Sequence, residues 1–381
     1  IYLRHLFETA HFPVRFAGVV DPAPERSRYH KEILDRNIPV FRTLEEFYDT
    51  SSADLAILSS PIQFHCKQTV LALEKGSHVL CEKPLCATLE EARRMQDAEK
   101  RSGLSVHIGY QWSYLEVTQA FKADIMAGTW GAPILFKCVA LAPRPDEYYQ
   151  RNRWAGRCSD DAGRPVLDSP ANNACAHFLH HMLYLLGDEP ESSVRPVELS
   201  AQLYRAHAIE NYDTAMIECR CENNTDLLYL TSHCAADACC PDLEFIFENG
   251  TVRYSYHERS LRGLFRNGTE KEYSSTLGSG DGVSEKIDYA LRAVRSGASP
   301  LCGIDASLSH TVCIDAAQKS GTPVAEISSD FTHHLEKDGK EWLMVAGIDD
   351  LMRKAFEEGR VPDTSSAEWI KTAPRVSCSN V

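Results

Sequence analysis

The pattern of apolar and polar positions divides the chain in two. Up to about residue 115, short apolar runs alternate with segments of helical period. Tyr2 and Leu6 stand four apart, as do Leu3 and Phe7, which predicts a helix over 1–10 until Pro13 breaks it. Residues 14–20 predict a strand ending in Asp21. Helices follow over 27–36 and 44–48, with an extended Val40-Phe41 between them. Leu55-Ala56-Ile57-Leu58 predicts a strand ended by Ser59-Ser60-Pro61, then a helix over 64–75 stopped at Gly76. Val79-Leu80-Cys81 predicts a buried strand, followed by a helix over 89–101 and a strand over 105–109 that runs into Tyr110-Gln111-Trp112. This alternation predicts an α/β fold built on a doubly wound parallel sheet.

Beyond residue 115 the period changes to two. Val197, Leu199, Ala201 and Leu203 alternate with polar residues, as do Ala215, Ile217, Cys219 and Cys221. Asn249-Gly250 between two such runs predicts a hairpin. The implied second domain is α+β, with a mostly antiparallel open sheet. The expected division is 1–115, 116–300 and a helical tail over 301–381 that packs back on the body. Residues 141–173 form a long irregular stretch rich in Arg, Tyr, Asn and Pro, and its aromatic content suits a lid or pocket wall.

Composition narrows the classes. The chain has 381 residues, enough for two or three domains, and a net charge of −14, which argues against nucleic acid or an anionic membrane as partner. No apolar run is long enough to span a bilayer. The 14 cysteines are scattered and many sit in strand-like context, which fits a reducing cytoplasm.

Chemistry collects at strand ends. A helix followed by a strand ending in an acid, Asp21, is the second half of a dinucleotide-binding unit, where the acid meets the ribose hydroxyls. The glycine-rich turn belongs about 20 residues earlier. No G-x-G-x-x-G occurs in the sequence, so the expectation is a chain lacking its first strand and turn, by truncation rather than loss. Asp21 favours NAD over NADP, while Arg26 and Arg28 leave NADP open. Glu82-Lys83-Pro84 places a charged pair at the carboxyl end of a strand, where such sheets bind ligands, and the proline stops the ladder. Arg144, Arg151 and Arg153 are candidate clamps for a carboxylate or phosphate. His177, His180 and His181 share a helix face, but no further ligand accompanies them and no metal is expected.

Pro61, His65, Gly76 and Glu82-Lys83-Pro84 at these spacings resemble the Gfo/Idh/MocA oxidoreductases, named for glucose–fructose oxidoreductase and inositol dehydrogenase. The resemblance implies a Rossmann domain for NAD or NADP and a second domain that holds a sugar or polyol. It places Lys83 against both cofactor and substrate, and Asp21, Ser60, Pro61, His65, Glu82 and Gln111 around the cofactor. In 177–187 it puts His177 on the family histidine, with His180 where an aspartate usually stands, so Lys83, His177 and His180 become the catalytic candidates. Trp112, Arg144, Tyr149, Asn172, Asn173, His177 and His181 are the candidate substrate contacts. The expected activity is NAD(P)-dependent hydride transfer to or from a sugar, polyol or related CH–OH compound. The alternatives are a redox-assisted glycosidase or a relative that binds without turnover. The resemblance also implies a homodimer or homotetramer through the second sheet.

Overall fold

The computed structural model describes residues 2–9, 13–255, 257, 260–273 and 282–378. The first domain runs α1 (Tyr2–Arg4), β1 (Val19–Val20), α2 (His30–Asp35), β2 (Val40–Phe41), α3 (Leu44–Thr50), β3 (Leu55–Leu58), α4 (Ile62–Glu74), β4 (His78–Cys81), α5 (Leu89–Ser102) and β5 (Val106–Ile108). Helix starts follow from local chemistry. Thr43 and Thr88 each close a capping box, with Glu46 and Glu91. Gly103, at φ 67°, ends α5 in the left-handed region.

All the strands of this domain pair in parallel, but in two pieces: β1 with β2, and β3–β4–β5. No pairing joins β1 to β3 among the described residues. The strand expected over 14–20 is reduced to Val19–Val20, and Phe16 packs on Phe7 instead, with ring centroids 4.9 Å apart. The first helix passes from α1 into a π turn over His5–Thr9. Tyr2 and Leu6 pack with Leu55, Ile57 and the buried Leu80.

The second domain runs α6 (Glu116–Met126), β6 (Pro133–Leu141), α7 (Glu147–Gln150), α8 (Ala176–Leu185), β7 (Pro196–Arg205), β8 (Thr214–Cys221), β9 (Asp226–Ser232), β10 (Cys239–Phe247), β11 (Gly250–Ser255), β12 (Ser260–Phe265) and β13 (Glu270–Tyr273). The tail adds α9 (Val283–Ser296), α10 (Ile304–Gly321), β14 (Ala325–Glu326), β15 (Thr332–Lys337), β16 (Lys340–Val345), α11 (Ile348–Glu358) and β17 (Arg375–Ser377). The sheet order is β13-β12-β11-β10-β6-β9-β8-β7-β14, with β17 also on β7. Only β6–β9 and β14–β7 are parallel. The hairpin turn falls one residue early, on Glu248 and Asn249. Gly250 already belongs to β11, where a side chain would strike the Leu264 carbonyl oxygen.

The two faces of this sheet are covered differently. The inner face meets α6, α8 and α10 in the main core, around Phe136, Leu179, Tyr229 and Phe245. The outer face of β6, β7, β8 and β9 is covered by the tail: Val139, Tyr204, Met216, Leu228 and Leu230 pack with Val345, Ile348, Met352, Trp369 and Ile370. The tail is therefore not only helical, since it contributes a hairpin and two sheet strands. It supplies in cis the cover that a second subunit was expected to give this part of the sheet.

Candidate active site

The site is built where β4 ends. Val79, Leu80 and Cys81 are wholly buried, and the ladder continues one bond further, with the Glu82 amide donating to Leu58 O at 2.8 Å. Pro84 has no N–H and ends it. His65, on α4, ties this corner together. Its Nδ1 lies 2.8 Å from Pro84 O and its Nε2 2.9 Å from Ser60 O. Burial holds its pKa below the ordinary imidazole value against the pull of those two carbonyls.

Glu82 and Lys83 then enter different surroundings. Glu82 Oε1 accepts from Tyr2 Oη at 2.7 Å and from Lys286 Nζ, on α9, at 2.5 Å. Burial alone would raise this carboxyl, but Lys286, Tyr2 and Lys83 together hold it at about 2. Lys83 has no carboxylate in contact among the described residues. Its Nζ donates to Asn173 O at 2.7 Å and to Asn173 Oδ1 at 3.0 Å. Asn173 Nδ2 donates to Asp168 Oδ1 at 2.7 Å, and Asp168 Oδ2 accepts from the Gly156 amide at 2.7 Å. Burial lowers the Lys83 pKa, against the opposing fields of Glu82, Cys175 and Asp168, and raises that of Asp168.

The Asn173 carbonyl is aimed by the turn that precedes α8. Ser169 Oγ accepts from the Asn172 amide, and the turn runs over Pro170–Ala174. His310, on α10, braces it. A carbonyl can only accept, so the His310 Nε2–H donates to Ala171 O at 3.0 Å and Nδ1 accepts from Tyr110 Oη at 2.9 Å. His177 opens α8 with its ring edge-on to Tyr110, 6.0 Å between centroids. Its Nδ1 is buried without a partner, and burial, then Lys83, keep the ring well below the ordinary pKa and neutral.

The structure brings Glu82, Lys83, Asn173 and His177 together, with His65, Ser60 and Pro61 behind them. It separates several other candidates. His180 is buried on the far side of Tyr110, stacked on that ring at 3.8 Å, with Nε2 3.1 Å from Ser113 Oγ and 3.5 Å from Cys302 Sγ. These contacts pack it in the core, apart from the bonds between Lys83 and Asn173. His181 is likewise packed, edge-on to Trp112 and Phe245. Trp112 sits between Phe178 and Tyr254 as a packing residue of the domain junction. Asn172 spends its side-chain amide on Leu167 O at 3.1 Å. Tyr149 gives its hydroxyl contact to His233 Nδ1 at 2.8 Å. Asp21 ends β1, and its Oδ1 accepts from the Ala23 amide. Gln111 opens the turn after β5. Sequence reasoning assigned no role to Tyr2, Lys286 or His310; it read Tyr110 as a strand-end aromatic at the domain junction and Asp168 as the acid ahead of the α8 histidine.

The comparison with known families falls on the first domain. Residues 2–110 match the family described as the oxidoreductase family with an NAD-binding Rossmann fold, Gfo/Idh/MocA. The match covers that domain, less than a third of the chain. The chain is similar to 1,5-anhydro-D-fructose reductase of Ensifer adhaerens, at 29% identity over 155 residues, 40% of this chain and 43% of that protein. It is also similar to inositol 2-dehydrogenase of Klebsiella pneumoniae, at 29% over 154 residues, 40% and 41% of the two chains. The chain thus spans about two fifths of the length of these curated relatives. Among solved structures, the WlbA dehydrogenase of Bordetella pertussis, in complex with NADH and UDP-GlcNAcA, shares the fold over 80% of this chain and 88% of its own, at TM-score 0.63 and 19% identity. A levoglucosan dehydrogenase in complex with NADH does so over 84% and 91%, at TM-score 0.69 and 16% identity.

Proposed function

We propose that this chain is an NAD-dependent oxidoreductase of a sugar, polyol or related hydroxy compound, with Lys83 as the proton acceptor. The contacts of Lys83 carry the reading. Its Nζ donates two hydrogen bonds to Asn173, so that in the amine form the lone pair is the remaining valence of the nitrogen. Burial without a contacting carboxylate favours that neutral form. His177, neutral and unbonded among the described residues, is placed to share or orient the substrate hydroxyl.

The residues present fit the nicotinamide end of such a cofactor, since the carboxyl end of β4 carries a buried amine and a partnerless His177 Nδ1. Asp21 would hold the ribose and Ser60, Pro61 and Glu82 would border the ring. NAD, when bound, supplies the hydride acceptor. The phosphate-binding turn is not among these 381 residues.

The relatives' names support sugars or polyols as substrates. Among the described residues no helix is long and apolar enough to cross a membrane, and a cytoplasmic setting remains our reading. An oligomer on the large sheet would use the outer face of β10–β13, where Leu264 is exposed, because the tail covers the neighbouring strands. The decisive experiment is absorbance of reduced cofactor against a panel of sugars, inositols and glycosides, beside fluorescence titration with NAD and NADP. Turnover of at least one neutral or acidic polyol with NAD is expected; absence of any nicotinamide binding would overturn the assignment.

A further inference from the structure

Arg144 follows the end of β6, and its backbone amide bonds to His233 O at 3.0 Å, which fixes it beside the pocket wall. Its guanidinium is half-buried and lacks a counter-ion. Nη1 reaches Pro143 O at 3.2 Å, the guanidinium also bonds the Tyr148 hydroxyl, Nε is buried without a partner, and no ion pair involves Arg144 among the described residues. A fork of donors held this way is unusual, because buried cations are normally paired. Arg151 stands beside it. Its guanidinium lies 3.6 Å from the centre of the Tyr148 ring, and Arg144 lies 5.2 Å from the same ring. Arg151 Nη2 is 3.7 Å from Asp168 Oδ2, the carboxylate that also bonds Asn173, the partner of Lys83.

The local charge is therefore lopsided. Of Lys83, Arg144 and Arg151, only Arg151 has a carboxylate within 4 Å among the described residues, and that one, Asp168, is already bonded by Gly156 and Asn173. Glu82 also acts on Lys83, but its carboxylate is paired with Lys286. This lies in a protein whose net charge is −14. The third arginine of the segment is different: Arg153 is 88% exposed and pairs with Asp161.

We infer that the substrate is an acidic sugar or polyol, whose carboxylate or phosphate is taken by the guanidinium of Arg144 with Arg151 beside it. This rests on the dehydrogenase reading above. A planar fork suits either anion. Arg144 then sets specificity, while Lys83 and His177 meet the reacting hydroxyl.

The test uses matched sets of hexoses: the neutral sugar, its uronate and its 6-phosphate. Values of kcat/KM with NAD are measured for the unaltered protein and for Arg144→Gln, with calorimetric binding of the same sugars to each. The expected result is a preference of about tenfold or more for one acidic form, collapsing in Arg144→Gln chiefly through KM. Preference for the uronate identifies a carboxylate, and preference for the 6-phosphate a phosphate. If Arg144→Gln does not fold, Arg144→Lys keeps the charge without the fork and is expected to lose part of the preference. Equal use of neutral and acidic sugars overturns the inference and leaves the dehydrogenase reading intact. So does an Arg144→Gln protein that loses affinity for NAD with all three sugars alike, since the arginine would then serve the cofactor. If no sugar is oxidised, the dehydrogenase reading fails, and calorimetry decides the anion preference by itself: tighter uronate or phosphate binding upholds it, equal binding sinks it.

Discussion

Two neighbouring residues show how one strand end makes both a foundation and a reactive group. Glu82 enters a pocket where Lys286 and Tyr2 meet it, and its charge is fixed at any ordinary pH. Lys83 is met by a neutral amide that accepts hydrogen bonds but carries no charge. An ion pair removes a group from titration, whereas a neutral partner positions it and leaves its proton free to move. On the proposed reading, the chemistry of the site depends on Asn173 not being an acid, and its rigidity on Glu82 being one.

The sharpest way to break this contrast is Lys83→Met. Turnover on an identified substrate is expected to fall by about 10²–10⁴-fold. Urea unfolding should show stability unchanged or raised, because a buried amine without a counter-ion is gone. A stable variant with full activity would show that Lys83 is not the acceptor. Glu82→Gln should do the reverse for stability, with a loss of about 3–5 kcal/mol in chemical denaturation, since it strands the wholly buried Lys286. An unchanged midpoint would show that the pair is dispensable. Asn173→Asp tests the neutral partner itself. A carboxylate against Lys83 favours the ammonium, so the acidic limb of the kcat/KM profile should move to higher pH, by about 1–3 units. A limb that stays in place would detach Lys83 from the profile. The smallest effect is expected from Tyr110→Phe, which removes only the 2.9 Å bond to His310 behind the site. It should cost about 1 kcal/mol in stability with a modest change in rate.

Much of this was legible in the chain because it is local. The alternation of periods gave both sheets, and Glu82-Lys83-Pro84 marked the end of β4. His177 was found by its place before the Leu186-Gly187 ending of its helix. His180 shares that face in projection, yet it stacks on Tyr110, which His177 meets only edge-on, and a face shared at i and i+3 does not show which rings a neighbouring domain covers. The partners of Glu82 come from 80 residues before it and 204 after it, with nothing in their surroundings to mark them. The arginines of the irregular segment looked alike until the structure showed that Arg153 has an acid and Arg144 has none. The cover over the outer sheet face also escaped notice, because 301–381 reads as helices that need a core rather than as the lid of one.

That cover has a consequence for the order in which the protein is made. Strands β6 to β9 leave the ribosome long before Val345, Met352 and Trp369, which seal their outer face. Until those last elements arrive, Val139, Met216, Leu228 and Leu230 present a broad apolar surface with open neighbours. Such a surface is prone to stick to other nascent chains. The window closes only once residues 345–370 have emerged, so termination after α10 would leave a chain with its Lys83 corner intact and its back exposed, a species for chaperones and proteases to remove.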